Sequence, residues 1–221
     1  MKVSSGLEYR VLDGNSAVLC GVGECLDEHI IVPSAIRGYS IVGIAERAFY
    51  RSSQIKSITL SRSIRFIEPQ AFAWCRELTE INLFNTEEIG ERAFMGCDML
   101  TRVNFGKQLG TIGEKAFAYC PSLTSMSLPN SLTRLGSASF EGCRNLCSIS
   151  LSDGIRIIEN GTFYACEKLR RVELPSKLEY IDEHAFAYCV SIVEMNLPPR
   201  TVINDDAFFE CGRICGNGRV S

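Results

Sequence analysis

A repeat of 22 or 23 residues constrains this chain more than any other feature. Phenylalanine recurs at that interval, and a small residue (Ala, Ser or Thr) precedes every copy. The eight positions are Phe49, Phe72, Phe94, Phe117, Phe140, Phe163, Phe186 and Phe208. Self-similarity at a fixed short period is typical of solenoids, in which each repeat buries its apolar edge against its neighbours.

Other columns keep fixed distances from each Phe. Ile or Leu stands five residues before it, and Cys stands three after it in every repeat except the first, which has Ser52. Further apolar residues follow, so the unit is A-F-x-x-C-x-x-L-x-x-I-x-L-P-x-x-L-x-x-I-x-x-x. The length lies within the roughly 20–29 residues of leucine-rich repeats. The sequence therefore predicts a right-handed leucine-rich repeat coil of about eight repeats.

The apolar pattern also predicts the local structure of each repeat. The x-I-x-L piece alternates apolar and polar residues, which predicts a half-buried strand and a parallel sheet along one face of the coil. The A-F-x-x-C piece predicts a short helical or 3₁₀ turn on the opposite side, because Phe and Cys three residues apart share one face. The L-x-x-I piece predicts a second short strand.

The two ends of the chain differ. Residues 7–19 alternate around Asp13-Gly14, which predicts an N-terminal β-hairpin cap. We expect residues 1–30 to form this cap and link, 31–211 the solenoid, and 212–221 a short tail. No recognisable cap follows the eighth Phe turn. An uncapped end exposes core residues, so we expect this end, or the side of the last coil, to be a self-association surface. The alternative is that Ile214 and Cys215 form a minimal lid.

Composition excludes some classes of protein. The net charge of −3 and the pI of about 5.6 argue against a general nucleic-acid binder. No run of about 18 apolar residues occurs, so no membrane span is expected. The first residues are not followed by the apolar run of a secretory signal. Either the protein stays inside the cell or the sequence is that of a mature form.

These columns resemble the BspA-type, or treponemal-type, leucine-rich repeat family. Residues 6–14 (GLEYRVLDG) and 31–39 (IVPSAIRGY) add to the resemblance, which covers about residues 7–211. It implies a bacterial or protist origin and a cell-surface, periplasmic or secreted location. It also implies binding to host matrix proteins or to other cells.

The eleven cysteines do not form a metal-site pattern. Zinc sites need closely spaced ligands that converge on one point, whereas here one Cys per repeat lies along the rod. We therefore expect a buried thiol ladder in which Cys acts as a small hydrophobic residue, and no cofactor. Cys20, Cys25, Cys147 and Cys215 lie outside the column. Free thiols are expected there, although Cys20 and Cys25 could pair and Cys215 could form an intermolecular bond.

No constellation points to catalysis. The chain has two histidines, His29 and His184, and neither is near a recognisable nucleophile or metal motif. His184 follows Glu183 at a variable position, where we expect a solvated side chain. The sequence predicts a protein that is not an enzyme.

Two surfaces are candidates for protein binding. The first is the outward face of the predicted sheet, which is polar, mixed in charge and poor in aromatic residues; it is either merely solvated or a binding face. Its candidate residues are Glu80, Asn82, Arg102, Asn104, Arg171, Glu173, Glu194 and Asn196. The second is a stripe of large side chains that follow the Phe column by one or two residues. Its members are Tyr50, Trp74, Tyr119, Tyr164, Tyr188 and Phe209.

The expected function is protein–protein interaction with a protein ligand through the solenoid surface, and the family resemblance implies adhesion to a host cell or matrix protein. The alternative is a structural scaffold that self-assembles into a homo-oligomer through the open end and the aromatic stripe. Neither nucleic acid nor a membrane is an expected partner.

Overall fold

Each repeat closes into one coil because its apolar columns share a common interior. In the coil that contains Phe72, the side chains of Ile67, Phe72, Cys75 and Leu78 are all buried. The computed structural model describes residues 3–193 and 195–212 and shows a β-solenoid of about eight such turns. We number the coils 1 to 8 after the eight Phe residues of the repeat. The predicted leucine-rich repeat solenoid is confirmed.

Strands supply all of the regular secondary structure of the described residues. In chain order they are β1 Glu8–Val11, β2 Ser16–Gly21, β3 His29–Ile31, β4 Ala35–Ile36, β5 Tyr39–Ile44, β6 Ser57–Thr59, β7 Phe66–Ile67, β8 Glu80–Leu83, β9 Glu88–Ile89, β10 Arg102–Phe105, β11 Thr111–Ile112, β12 Ser125–Ser127, β13 Arg134–Leu135, β14 Ser148–Ser150, β15 Ile157–Ile158, β16 Arg171–Glu173, β17 Tyr180–Ile181 and β18 Val202–Ile203. Within the described ranges, nothing has the length and hydropathy of a membrane-spanning helix.

The x-I-x-L segments form the predicted parallel sheet, which we call the first sheet face. It consists of a four-stranded part, β3-β6-β8-β10, and a three-stranded part, β12-β14-β16. Equivalent residues of neighbouring coils pair directly, as in Ile58 with Ile81 and Ile149 with Val172. The register follows from the fixed spacing of the repeat, because a shift of one residue would turn every apolar side chain to solvent.

The L-x-x-I segments form a second sheet face, in which every strand after the six-residue β5 has two residues, so the predicted second short strand is confirmed. Strands β5, β7, β9, β11 and β13 run in parallel, and β15, β17 and β18 form a separate group. The N-terminal hairpin extends this face. Antiparallel strands β1 and β2 turn at Asp13-Gly14, and β2 pairs in parallel with β5. The predicted hairpin cap is therefore present.

The A-F-x-x-C segments form the third side, and here the predicted helical or 3₁₀ turn is wrong. Two residues with left-handed backbone flank each Phe in coils 1–7; in coil 4 they are Lys115 (φ 53°) and Tyr119 (φ 57°). The segment therefore cannot continue as a helix. Alternate N–H groups bond to the next coil, as when Phe117 donates to the carbonyl of Ser139 at 2.8 Å, and those between them close tight turns, as when Ala118 donates to the carbonyl of Lys115 at 3.1 Å. We call this side the turn edge, defined as the nine residues centred on each repeat Phe.

The Phe column forms a continuous stack through the interior. Neighbouring rings lie 5.0–5.8 Å apart between centroids, with planes within 18° of parallel. The rings of coils 1–7 are fully buried. This stack is the spine of the solenoid, because each ring covers the apolar face of the next one.

The Cys column packs beside the Phe stack and is not merely apolar. In coils 2–7 each buried thiol donates a hydrogen bond to the carbonyl oxygen of the Phe in the preceding coil, at 2.9–3.2 Å. A buried carbonyl can accept two hydrogen bonds, and the thiol supplies one of them. The residue type is thus explained by its size and by a weak donor in the right place.

Candidate functional site

The N-terminal part of the first sheet face brings four predicted residues together. Strands β8 and β10 are neighbours, so Glu80 lies beside Arg102 and Asn82 beside Asn104. The Arg102 guanidinium bonds to the Glu80 carboxylate, and the Asn104 side-chain amide donates to the Asn82 side-chain oxygen at 2.7 Å. These side chains therefore provide one another with charge and hydrogen-bond partners across neighbouring coils.

The C-terminal part of the same face is separate from the first. Arg171 and Glu173 lie on β16 with their charged groups 3.6 Å apart, and Asn196 is exposed in the next coil. Glu194 lies outside the described residues. Strands β12 and β14, which lie between β10 and β16 along this face, present only the hydroxyls of serine residues outward. The face therefore has two small polar patches whose charges are largely paired within the chain.

The predicted aromatic stripe divides into two groups along the turn edge. At the N-terminal end, Arg47 and Arg51 lie 4.7 and 5.2 Å from the Tyr50 ring centroid, and Arg76 lies 5.7 Å from that of Trp74. Both rings are half-buried. Arginine stacked on an aromatic ring favours the observed ring positions, and it also covers part of the surface that a partner could contact.

The C-terminal group is a continuous cluster over coils 6–8. The centroid distances are 5.3 Å between Tyr164 and Tyr188, 5.7 Å between Tyr188 and Phe209, 6.5 Å between Tyr164 and His184, and 6.2 Å between His184 and Phe209. All four contacts are edge-to-face, an arrangement that aromatic pairs prefer. We call these four residues the aromatic cluster.

His184 is the member of this cluster that sequence reasoning missed. It was expected to be simply solvated, but it packs edge-on against Tyr164 and Phe209. A signal was present in its spacing. His184 stands two residues before its repeat Phe, and Tyr188 two after, so both flank the same turn. The relation becomes visible only once the turn is known to place both positions on one edge.

Tyr119 stands apart from the cluster and contacts Glu141. Its hydroxyl donates to the Glu141 carboxylate, and Lys115 lies 3.5 Å from the other carboxylate oxygen. The hydrogen bond holds the proton on the phenol, and burial adds to it, so the pKa of Tyr119 rises to about 12. The ring lies over the next coil, where a Cβ on Gly142 would come within 2.6 Å of it.

The thiols outside the Cys column are free where they are described. Cys25 is buried, Cys20 is half-buried and Cys147 is exposed, and none forms a disulfide. Cys215 and Ile214 lie outside the described residues. Within the column, burial raises the pKa of Cys166 well above its usual value. Among residues 3–193 and 195–212, no three His, Cys, Asp or Glu side chains form a group that could hold a metal ion.

Comparison with known proteins gives a family and a fold. Residues 29–124 and 87–215 match the BspA type leucine-rich repeat region, in six copies. A leucine-rich repeat protein from T. pallidum is 28% identical, with a TM-score of 0.79 over 86% of this chain and 90% of that one. One from Bacteroides ovatus is 22% identical, with a TM-score of 0.70 over 97% of this chain and 67% of that one. A search of curated proteins gives no match.

Proposed function

Because the chain belongs to the BspA-type leucine-rich repeat family, we propose that it is a protein-interaction module that binds through the C-terminal half of its turn edge. Leucine-rich repeat proteins of this kind serve as interaction or scaffold modules, and the solenoid offers a long, rigid surface for that purpose. Within this proposal, the family resemblance supports a protein of a host cell surface or matrix as the partner.

The observation that carries the proposal is the aromatic cluster. Tyr188 and Phe209 are 37% and 45% exposed, although both are held in place by neighbouring rings. Large rings fixed before binding lose little conformational entropy and bury much apolar area, which is why such side chains dominate binding hot spots. The cluster therefore has the character of a preformed contact surface.

The first sheet face has less to offer a partner. Its guanidinium groups, Arg102 and Arg171, already pair with carboxylates of this chain, and the central serine side chains bury little apolar area. A partner would have to break these pairs or leave them at the rim, where charged contacts contribute little to affinity.

Peptide display tests which surface binds. Peptides selected on the wild-type protein are measured against the double variant Tyr188→Ala/Phe209→Ala and against Arg102→Ala/Arg171→Ala, the matched control on the sheet face. We expect the aromatic variant to weaken binding by about tenfold or more and the control to change it little. Peptides that bind both variants as well as the wild type, or that depend on the two arginines, would overturn the proposal.

A scaffold function is the second candidate, and the exposed apolar side chains of the last coils favour it. Val193 and Val202 are 65% and 62% exposed, on different sides of the rod. Such side chains suit contact with another copy of the chain. Light scattering with and without reductant tests whether the chain self-assembles. A mass of 24.5 kDa in both conditions contradicts self-assembly, and a defined multimer that survives reductant supports it.

A further inference from the structure

We infer that the partner of the C-terminal turn edge presents a segment bearing lysine or arginine side chains. This inference rests on the proposed function and names the chemistry of the partner. It comes from the distribution of charge along the turn edge, from the carboxylates that remain without a cation, and from a depression beside the aromatic cluster.

The charge of the turn edge changes sharply halfway along the rod. The turn-edge segments of coils 1–4 (45–53, 68–76, 90–98 and 113–121) contain five acidic and five basic residues. The segments of coils 5–8 (136–144, 159–167, 182–190 and 204–212) contain eight acidic residues and one basic residue, Arg144. The net charge of the whole chain is only −3, so the negative charge is concentrated on this half of one side.

Five of these eight acidic side chains lack a lysine or arginine partner within the described chain. Glu141, Glu159 and Glu167 lie within 4 Å of a lysine or arginine, and Glu183 lies 3.7 Å from His184. No ion pair among the described residues involves Asp182, Asp205, Asp206 or Glu210. Unpaired carboxylates within about a Debye length of one another repel, and a cationic ligand relieves that repulsion.

A depression in the turn edge lies next to the aromatic cluster. Its volume is about 330 Å³, and its rim includes Tyr164, His184 and Asn160. It exists because Ala138 and Gly161 are small, whereas the equivalent residues of the flanking coils, Lys115 and His184, are long. The space is open to solvent beside an aromatic ring.

The lining of the depression suits the end of a long cationic side chain. A guanidinium or ammonium group can lie over the Tyr164 ring and gain a cation–π contact. The carboxylates of Glu114 and Glu141 also line the depression, and its one lysine, Lys115, already pairs with Glu141. An acidic partner would instead meet an uncompensated negative surface, which opposes binding.

The experiment uses the display peptides described above together with one designed probe. The probe is a dodecapeptide of alternating arginine and serine, compared with the same peptide in which citrulline replaces arginine. Binding is measured to the wild type, to Asp182→Asn/Asp206→Asn/Glu210→Gln, and to a control with the same change of net charge, Glu24→Gln/Glu80→Gln/Glu173→Gln.

We expect selected peptides that depend on the aromatic cluster to be enriched in lysine and arginine. To the variant with the neutralised turn edge, these peptides and the arginine probe should bind about tenfold more weakly than to the wild type. In the control variant, their binding should weaken much less. Added salt should reduce the difference in affinity between the wild type and the turn-edge variant.

Equal losses in the edge variant and the control, or equal binding of the arginine and citrulline probes, would overturn the inference. Cluster-dependent peptides without an excess of basic residues would also overturn it, while leaving the proposed function intact. If no selected peptide depends on the cluster, the proposed function fails, and the probe still decides the charge preference.

Discussion

Replacing one ring of the Phe stack tests whether the stack is the spine of the solenoid. Phe117 is fully buried between Phe94, at 5.2 Å, and Phe140, at 5.5 Å, and Phe105 contacts it edge-on at 6.0 Å. Phe49, at the start of the stack, is equally buried but has a single aromatic neighbour among the described residues. The two positions therefore differ in aromatic contacts but not in exposure.

The magnitude follows from these contacts. Truncating a buried Phe to Ala costs about 3–5 kcal/mol through lost burial and the remaining cavity. Each aromatic pair adds about 0.5–1.5 kcal/mol beyond its buried area. Phe117 has two more pairs than Phe49, so Phe117→Ala should lower the free energy of unfolding by about 1–3 kcal/mol more than Phe49→Ala.

Urea denaturation followed by circular dichroism gives the measurement. With a slope of about 1–3 kcal/mol per molar urea, the two variants should differ in midpoint by about 1 M. Phe117→Leu is the matched control, because it keeps most of the apolar volume and should recover most of the loss. Equal destabilisation by Phe49→Ala and Phe117→Ala would refute the additive contribution of the stack.

Three further predictions follow from single contacts. Gly106→Ala should lower the free energy of unfolding, measured in urea, by about 1–3 kcal/mol, because the new Cβ would lie 1.6 Å from a carbonyl oxygen of the preceding coil. Gly110→Ala is the control, because its Cβ would lie 3.8 Å from the nearest atom. Similar losses in the two variants would contradict this reasoning. In the native protein, a thiol reagent should label the exposed Cys147 rapidly and the buried thiols of the Cys column only on unfolding. Cys147→Ala should therefore remove one thiol from the fast phase of labelling, and an unchanged fast phase would contradict the observed exposure. The raised pKa of Tyr119 means that the native state holds a proton that the unfolded state loses, so the free energy of unfolding should fall as the pH rises from about 10 to about 12. Glu141→Gln should reduce that fall, and an unchanged pH profile would exclude the hydrogen bond as its cause.

The sequence predicted the coil and its stacking because the same apolar columns recur in eight copies, 22 or 23 residues apart. It also predicted the hairpin at Asp13-Gly14, where local turn chemistry is strong. It failed on the turn edge. Arginine, lysine and tyrosine do not signal a left-handed backbone, yet Arg47, Lys115 and Tyr119 adopt one. Hydrogen bonds between coils stabilise this conformation, at a local cost of about 1–2 kcal/mol per residue.

The candidate site was partly visible in the sequence. The aromatic stripe was identified residue by residue, but not its division into an arginine-covered group around Trp74 and an open group around Tyr188. The place of His184 in the open group was missed. The contacts of the open group join residues about one repeat apart, and which of them meet depends on the shape of the turn.

The sequence by itself thus determined the repeat, the interior columns and the register of the sheets, because burying a periodic apolar pattern leaves one way to stack it. The tertiary structure alone decided the conformation of the turn edge, the bond from each Cys thiol to a Phe carbonyl, and the grouping of rings and carboxylates on one half of one side. The physical reason is that these features depend on hydrogen bonds and contacts between neighbouring coils, which no single repeat contains.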